Sequence, residues 1–102
     1  ILLQDDSGNR AKAILLELKK DNISNKVFEQ IKKYSYWVAQ LVTANVRYRT
    51  CNPFEIIPIV VGGRASNSIK IPPAHEFTIS YDEPLTVKVH QPIVKTYKAD
   101  EK

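Results

Sequence analysis

Nucleophilic or metal chemistry in this 102-residue chain would have to draw on very few side chains, because Cys51, His75 and His90 are its only cysteine and histidines. A metal site needs His, Cys and carboxylates clustered at ligand spacing, and no H-E-x-x-H, C-x-x-C or His-x-His pattern occurs. His75-Glu76 beside Pro72-Pro73 is adjacent polarity and no more. Cys51 with either histidine is formally a nucleophile and base. It ends a predicted strand just before Asn52-Pro53, however, where a lone cysteine acts as a small apolar residue. Asp5-Asp6 and Asp82-Glu83 fall in turn sequences, where acids bond the local backbone. Gly62-Gly63 lacks the further glycines and the Lys-Ser/Thr ending of phosphate-cradling loops. These residues point away from an enzyme, and they imply no cofactor and no metal.

A second kind of chemistry is contact with a polyanion. Residues 25–51 hold five basic groups and one acidic group, while the segments on either side are balanced, so the net charge of +4 resides in that quarter of the chain. Lys32, Lys33, Arg47 and Arg49 are placed to meet phosphates, and Tyr36, Trp37 or Tyr48 to stack on bases, the combination used by single-strand binding surfaces. Against this, Tyr34 and Trp37 lie on an apolar helical stripe and suit a core, and paired lysines on the opposite face suit plain solvation.

The element that must position these groups is a helix over residues 25–44. Val27, Ile31, Tyr34, Val38 and Leu41 recur in steps of three and four, with Phe28, Trp37 and Val42 widening the stripe. Ser24 or Asn25 can cap its start. Near Asn45 the period changes to two, so that Val46, Tyr48 and Thr50 alternate with Arg47, Arg49 and Cys51, as in a strand.

Before the helix, Arg10 to Asp21 is rich in Ala, Leu, Glu and Lys and favours a helix of its own. The alternative is a hairpin that pairs Ile1 to Gln4 with Lys12 to Leu16 across Ser7-Gly8-Asn9. Beyond Cys51 lie all six prolines, and the chain reads as short strands: Phe54 to Val61, Ser68 to Ile71, Glu76 to Tyr81, Leu85 to Val89 and Ile93 to Tyr97. Pro58 predicts an edge strand or a bulge, and Gly62 to Asn67 a loop. Residues 98–102 read as a solvated tail. The fold class is therefore α+β: one or two N-terminal helices followed by a small antiparallel β-sandwich or barrel-like sheet of four to six short strands. One domain spans 1–102, divided into 1–24, the central helix 25–44, the β region 45–97 and the tail.

A single cysteine excludes an internal disulfide, which favours a reducing compartment or a virion. No apolar run approaches the roughly 20 residues of a membrane-spanning helix. The function expected is non-enzymatic: a structural or assembly protein, such as a virion or other multi-subunit component, acting through contacts with itself as a homo-oligomer or with other subunits. Tyr36, Trp37, Tyr48, Pro58 and Arg64 are the interface residues on this reading. The alternative is a nucleic-acid-binding module using Lys32, Lys33, Arg47 and Arg49.

Overall fold

The computed structural model describes residues 2–6, 10–45, 48 and 53–98, with residues 2–6 and Arg10 described as backbone path alone. Two antiparallel strands open the chain, β1 (Leu2–Asp6) and β2 (Arg10–Leu18), with Leu2 opposite Ile14 and Asp6 opposite Arg10. The helix favoured for Arg10 to Asp21 does not form, and the hairpin reading holds. The reason is tertiary. β2 has strands on both sides, β1 and β4 (Phe54–Gly62), and two ladders of hydrogen bonds outweigh a few tenths of a kcal/mol per residue of helix preference.

After a short strand β3 (Asn22–Ile23) comes the helix α1 (Lys26–Thr43), where periodicity placed it. Its cap differs from expectation, since no side chain bonds its first amides. Asn25 instead ties the helix start to the 66–70 loop: it donates to the Ser68 carbonyl at 3.2 Å and accepts from the Lys70 N–H at 2.8 Å. Past the helix, Tyr48 closes a further turn onto the Asn45 carbonyl and packs half-buried against the core. The strand expected over Val46 to Cys51, with Arg47 and Arg49, lies outside the described residues apart from Tyr48.

The remaining strands are β5 (Arg64–Ala65), β6 (His75–Ile79), β7 (Leu85–Val89) and β8 (Ile93–Thr96). They complete one mixed sheet in the order β1-β2-β4-β7-β6, with β8 also on β4 and a separate β3-β5 pair. The centre is parallel: β2, β7 and β8 all run with β4. This corrects the antiparallel sandwich or barrel. Consecutive parallel strands need a long crossover, and α1 is the crossover from β2 to β4. The segment Ser68 to Ile71 forms no strand, and Arg64–Ala65, expected in a loop, pairs with β3.

β4 is the most central strand, so of the two readings of Pro58 the edge does not hold and the bulge does. Ile56 and Gly62 turn their carbonyls toward β7 and β8, accepting from His90 at 2.9 Å and Tyr97 at 3.1 Å, whereas Val61 faces β2 and accepts from Lys19 at 2.8 Å. Pro58 shares the parity of Ile56 and Gly62, so its nitrogen faces the break between β7, which stops opposite Ile56, and β8, which starts opposite Ile59. Across that break residues 90–92 span what β4 covers with residues 57–58, a one-residue bulge. No ladder donor is needed where the proline sits.

Alternation then sorts the side chains. Ala11, Ala13 and Leu15 of β2, Phe54, Ile56, Pro58 and Val60 of β4, and Leu85, Val87 and Val89 of β7 are buried on the face that α1 covers. The helix meets them with Val27, Phe28, Ile31, Ser35, Val38, Ala39 and Thr43. Small residues at 35, 39 and 43 let it lie close. This rotates the buried stripe away from the expected one: Trp37 and Leu41 are 71% and 70% exposed, and Tyr34 also reaches solvent.

Candidate functional site at the carboxyl ends of the parallel strands

Alternation carries past the buried part of β2. Glu17 pairs in register with the buried Val60, so it lies on the helix side of the sheet, and Lys19 follows two residues later on the same side. The Lys19 ammonium stands 3.4 Å from Glu17 Oε1 and donates to Gln30 Oε1 of α1 at 3.2 Å. A carboxylate, an ammonium and an amide from two elements thus converge at the mouth between β2 and the first turns of α1. Both charged groups are partly withdrawn from water, an arrangement that costs desolvation energy and needs good partners.

The location has its own logic. Open sheets with parallel strands bind ligands beyond the carboxyl ends of those strands, where loops diverge toward the crossover helices. Here β2, β4 and β8 end together. Beyond them Asp21, Asn22, Gly63, Arg64 and Lys98 line a polar cleft of about 320 Å³. Its walls are held by backbone: Gly63 and Arg64 donate to the Asp21 carbonyl at 2.8 and 3.3 Å, and Lys98 to the Gly63 carbonyl at 3.0 Å. Tyr97 adds a hydroxyl bond of 2.6 Å to the Lys20 carbonyl. Gly62 is required at the closest approach, since a Cβ there would lie 2.5 Å from Ile23 Cγ1, a side chain wholly buried. Lys19, Lys20, Arg64 and Lys98 against Glu17 and Asp21 give this end a positive balance, and the Lys98 to Asp21 pair is loose at 3.9 Å.

The residues singled out by sequence are scattered by comparison. Pro58 is buried at the centre of the sheet and offers no contact surface. Arg64 is exposed and lines the polar cleft. Tyr36 packs against Phe77 with ring centroids 5.2 Å apart, and Trp37 stands out from the helix. Lys32 and Lys33 are exposed on α1, and Arg47, Arg49 and Cys51 lie outside the described residues. His75 and His90 share a cleft of about 330 Å³ with Pro72, Pro73 and Pro92. They do not form a ligand set: His90 Nε2 sits 2.8 Å from Glu55 Oε1, and among the described residues no three His, Cys, Asp or Glu gather around one point. Burial, and after it the nearby Lys32 charge, holds the His75 imidazole below its ordinary pKa.

The other face of the sheet presents a different candidate. Ile14, Leu16 and Leu18 of β2 stand in register with Ile57, Ile59 and Val61 of β4, and Ile93 continues the row beyond Ile59. No described element covers them. Leu16, Leu18 and Ile93 are 51%, 69% and 42% exposed.

Comparison with known protein families, with curated proteins and with solved structures found no match to this chain. Among the described residues, no helix is long and apolar enough to cross a membrane. The functional reading therefore rests on the geometry.

Proposed function

We propose that the chain is a hydrolytic domain acting on phosphodiesters of nucleic acid, with its reaction centre at Glu17, Lys19 and Gln30. The observation that carries this is the Glu17–Lys19–Gln30 convergence at the carboxyl ends of parallel strands, beside a cleft whose cations are Arg64 and Lys98. Glu17 is the group to hold a divalent cation, since Mg²⁺ settles for one or two carboxylates and completes its shell with water and phosphate oxygens. A divalent cation held there would supply Lewis-acid activation of the phosphodiester. Lys19 places a compact positive charge beside it to offset charge growing on the phosphoryl oxygens, and Gln30 fixes the ammonium. Arg64 and Lys98 bind neighbouring phosphates. In the reaction water adds to phosphorus and one P–O ester bond breaks. One water proton ends on the leaving alcohol, and the other passes from the new phosphate monoester to solvent.

The test is hydrolysis of single-stranded and duplex DNA in Mg²⁺ or Mn²⁺, before and after chelation. Glu17→Gln is nearly isosteric, and it is expected to lower the metal-dependent rate about 100-fold or more, as loss of several kcal/mol of charge stabilisation requires. Absence of metal-dependent hydrolysis, or an unchanged rate in Glu17→Gln, overturns the reading.

A second reading, the assembly role, is favoured by the bare apolar face. Sheets with parallel strands are generally covered on both sides. A standard interface takes about 800 Å² from each partner. We assign that face to a second copy of the chain, sheet against sheet. Light scattering should then give a dimer that persists in high salt and that Ile59→Lys dissociates. A monomer at all concentrations removes the reading.

A further inference from the structure

Trp37 is the single tryptophan of the chain, and it stands on the solvent side of α1 although a large aromatic ring there gains nothing from folding. It is not alone. Gln30, Tyr34, Trp37 and Leu41 follow one another at steps of four, three and four, so they form one line along the helix surface. That line starts at the residue that holds Lys19. Beside it Lys33, Tyr34, Tyr36, Trp37 and Gln40 enclose a cleft of about 480 Å³, open to solvent. The Tyr36 ring is braced by its tilted contact with Phe77 of β6, which fixes one wall. On this side Lys33 lines the cleft and the exposed Lys26 stands one turn before Gln30, while Lys32 and Glu29 line the adjoining cleft with Tyr36 and His75.

We infer that this face of α1 is a stacking track for single-stranded nucleic acid, leading a strand toward Glu17 and Lys19. The inference rests on the hydrolytic reading for its direction and adds the substrate class, a single strand whose bases are unpaired. The chemistry fits that occupant better than a duplex or a protein. Aromatic faces accept any unstacked base, whereas bases within a duplex already stack on one another. Lysines flanking the rings answer the phosphates, and a protein partner would need no such pairing of rings with like charges. The distance is suitable as well. Trp37 lies seven residues from Gln30, about 10 Å along the helix axis, so bases held on Trp37 and Tyr34 lead directly to the Lys19 end.

The experiment uses Trp37 as its own reporter. The full chain is titrated with a labelled thymidine dodecamer, following tryptophan emission and the anisotropy of the label together, with a duplex of equal length in parallel. Quenching of Trp37 in step with binding is expected, with weaker binding of the duplex and affinity falling steeply with salt. Trp37→Ala removes an exposed side chain, so the fold is retained, and binding of the single strand should weaken about 5- to 150-fold, the worth of one stacked base. Trp37→Phe should restore most of it. Titration in a chelator, where no metal-dependent hydrolysis can run, separates this site from the hydrolytic reading: quenching there, with no hydrolysis when metal is restored, leaves the track standing and removes the reaction. Binding without quenching, equal affinity for the duplex, or a Trp37→Ala variant that binds as tightly each overturns the track. No binding at all does so too, and leaves the helix face to a protein partner.

Discussion

On the α1 side of β4, Phe54, Ile56 and Val60 are shut away from water, whereas on the other side Ile57, Ile59 and Val61 share an open surface with Leu16, Leu18 and Ile93. The two sets differ little in side-chain chemistry. What separates them is that the crossover helix has to lie on one side, and this chain has one long helix among its described residues. The closed face holds the fold together, and the open one is surface left over for contact. At the edge of the closed face, where β2 runs out, the alternation that buried Ala11, Ala13 and Leu15 delivers Glu17 and Lys19 instead. The same period that builds the core thus places the Glu17–Lys19 ion pair.

The contrast between the faces is sharpest in stability. Phe54→Ala should cost about 3–5 kcal/mol, enough to unfold much of the population, because the cavity is enclosed by β2, β7 and α1. Ile59→Lys on the open side should stay within about 1 kcal/mol in the isolated chain. Urea unfolding of both variants checks this, and equal losses would mean that the open face is as much a core as the closed one.

A smaller effect comes from the rim of the closed face. His75 has its folded pKa pushed below the ordinary imidazole value by burial, then by Lys32. The fold therefore prefers the neutral ring, and His75 adds stability above the unfolded pKa of about 6.5 that is lost as pH falls toward the folded value. Glu29, Glu76 and His90 line the clefts beside it. The urea midpoint should drop between about pH 7 and pH 5, and drop less in His75→Asn.

Smallest of all is Ser35, a wholly buried hydroxyl between helix and sheet that has no hydrogen-bond partner among the described residues. Ser35→Ala should raise stability by about 0.5–1 kcal/mol, since it removes an unsatisfied polar atom and improves helix propensity. A loss instead would show that the hydroxyl is satisfied in solution.

Sequence periodicity placed α1 to within a residue or two, because its stripe of Val27, Ile31 and Val38 is long and unambiguous. Leu85 to Val89 was equally plain. β2 was misjudged because Ala, Leu, Glu and Lys carry a strong local preference for helix, while the ladders that overrule it come from residues 2–6 and 55–61, remote in sequence or weak in signal. The candidate site went unseen for the same reason. On a helix, Glu17 and Lys19 point about 200° apart, whereas on a strand they share a face, so the wrong period separated the two residues that matter. A strict reading of Ala11, Ala13, Leu15, Glu17 and Lys19 as one alternating row would have found them. Pro58 left two readings, edge strand or bulge, and the interruption of the neighbouring strand opposite it decides for the bulge.

That interruption also acts as an indexing notch. If β4 slid by two residues, every side chain would keep its face, so hydrophobicity alone would hardly object. The proline nitrogen would then sit opposite a strand that expects a donor, either β7 or β8, and a ladder bond would be lost. One imino acid and one extra residue across from it allow the central strand a single alignment, and with it fix how far Glu17 stands from the end of β4.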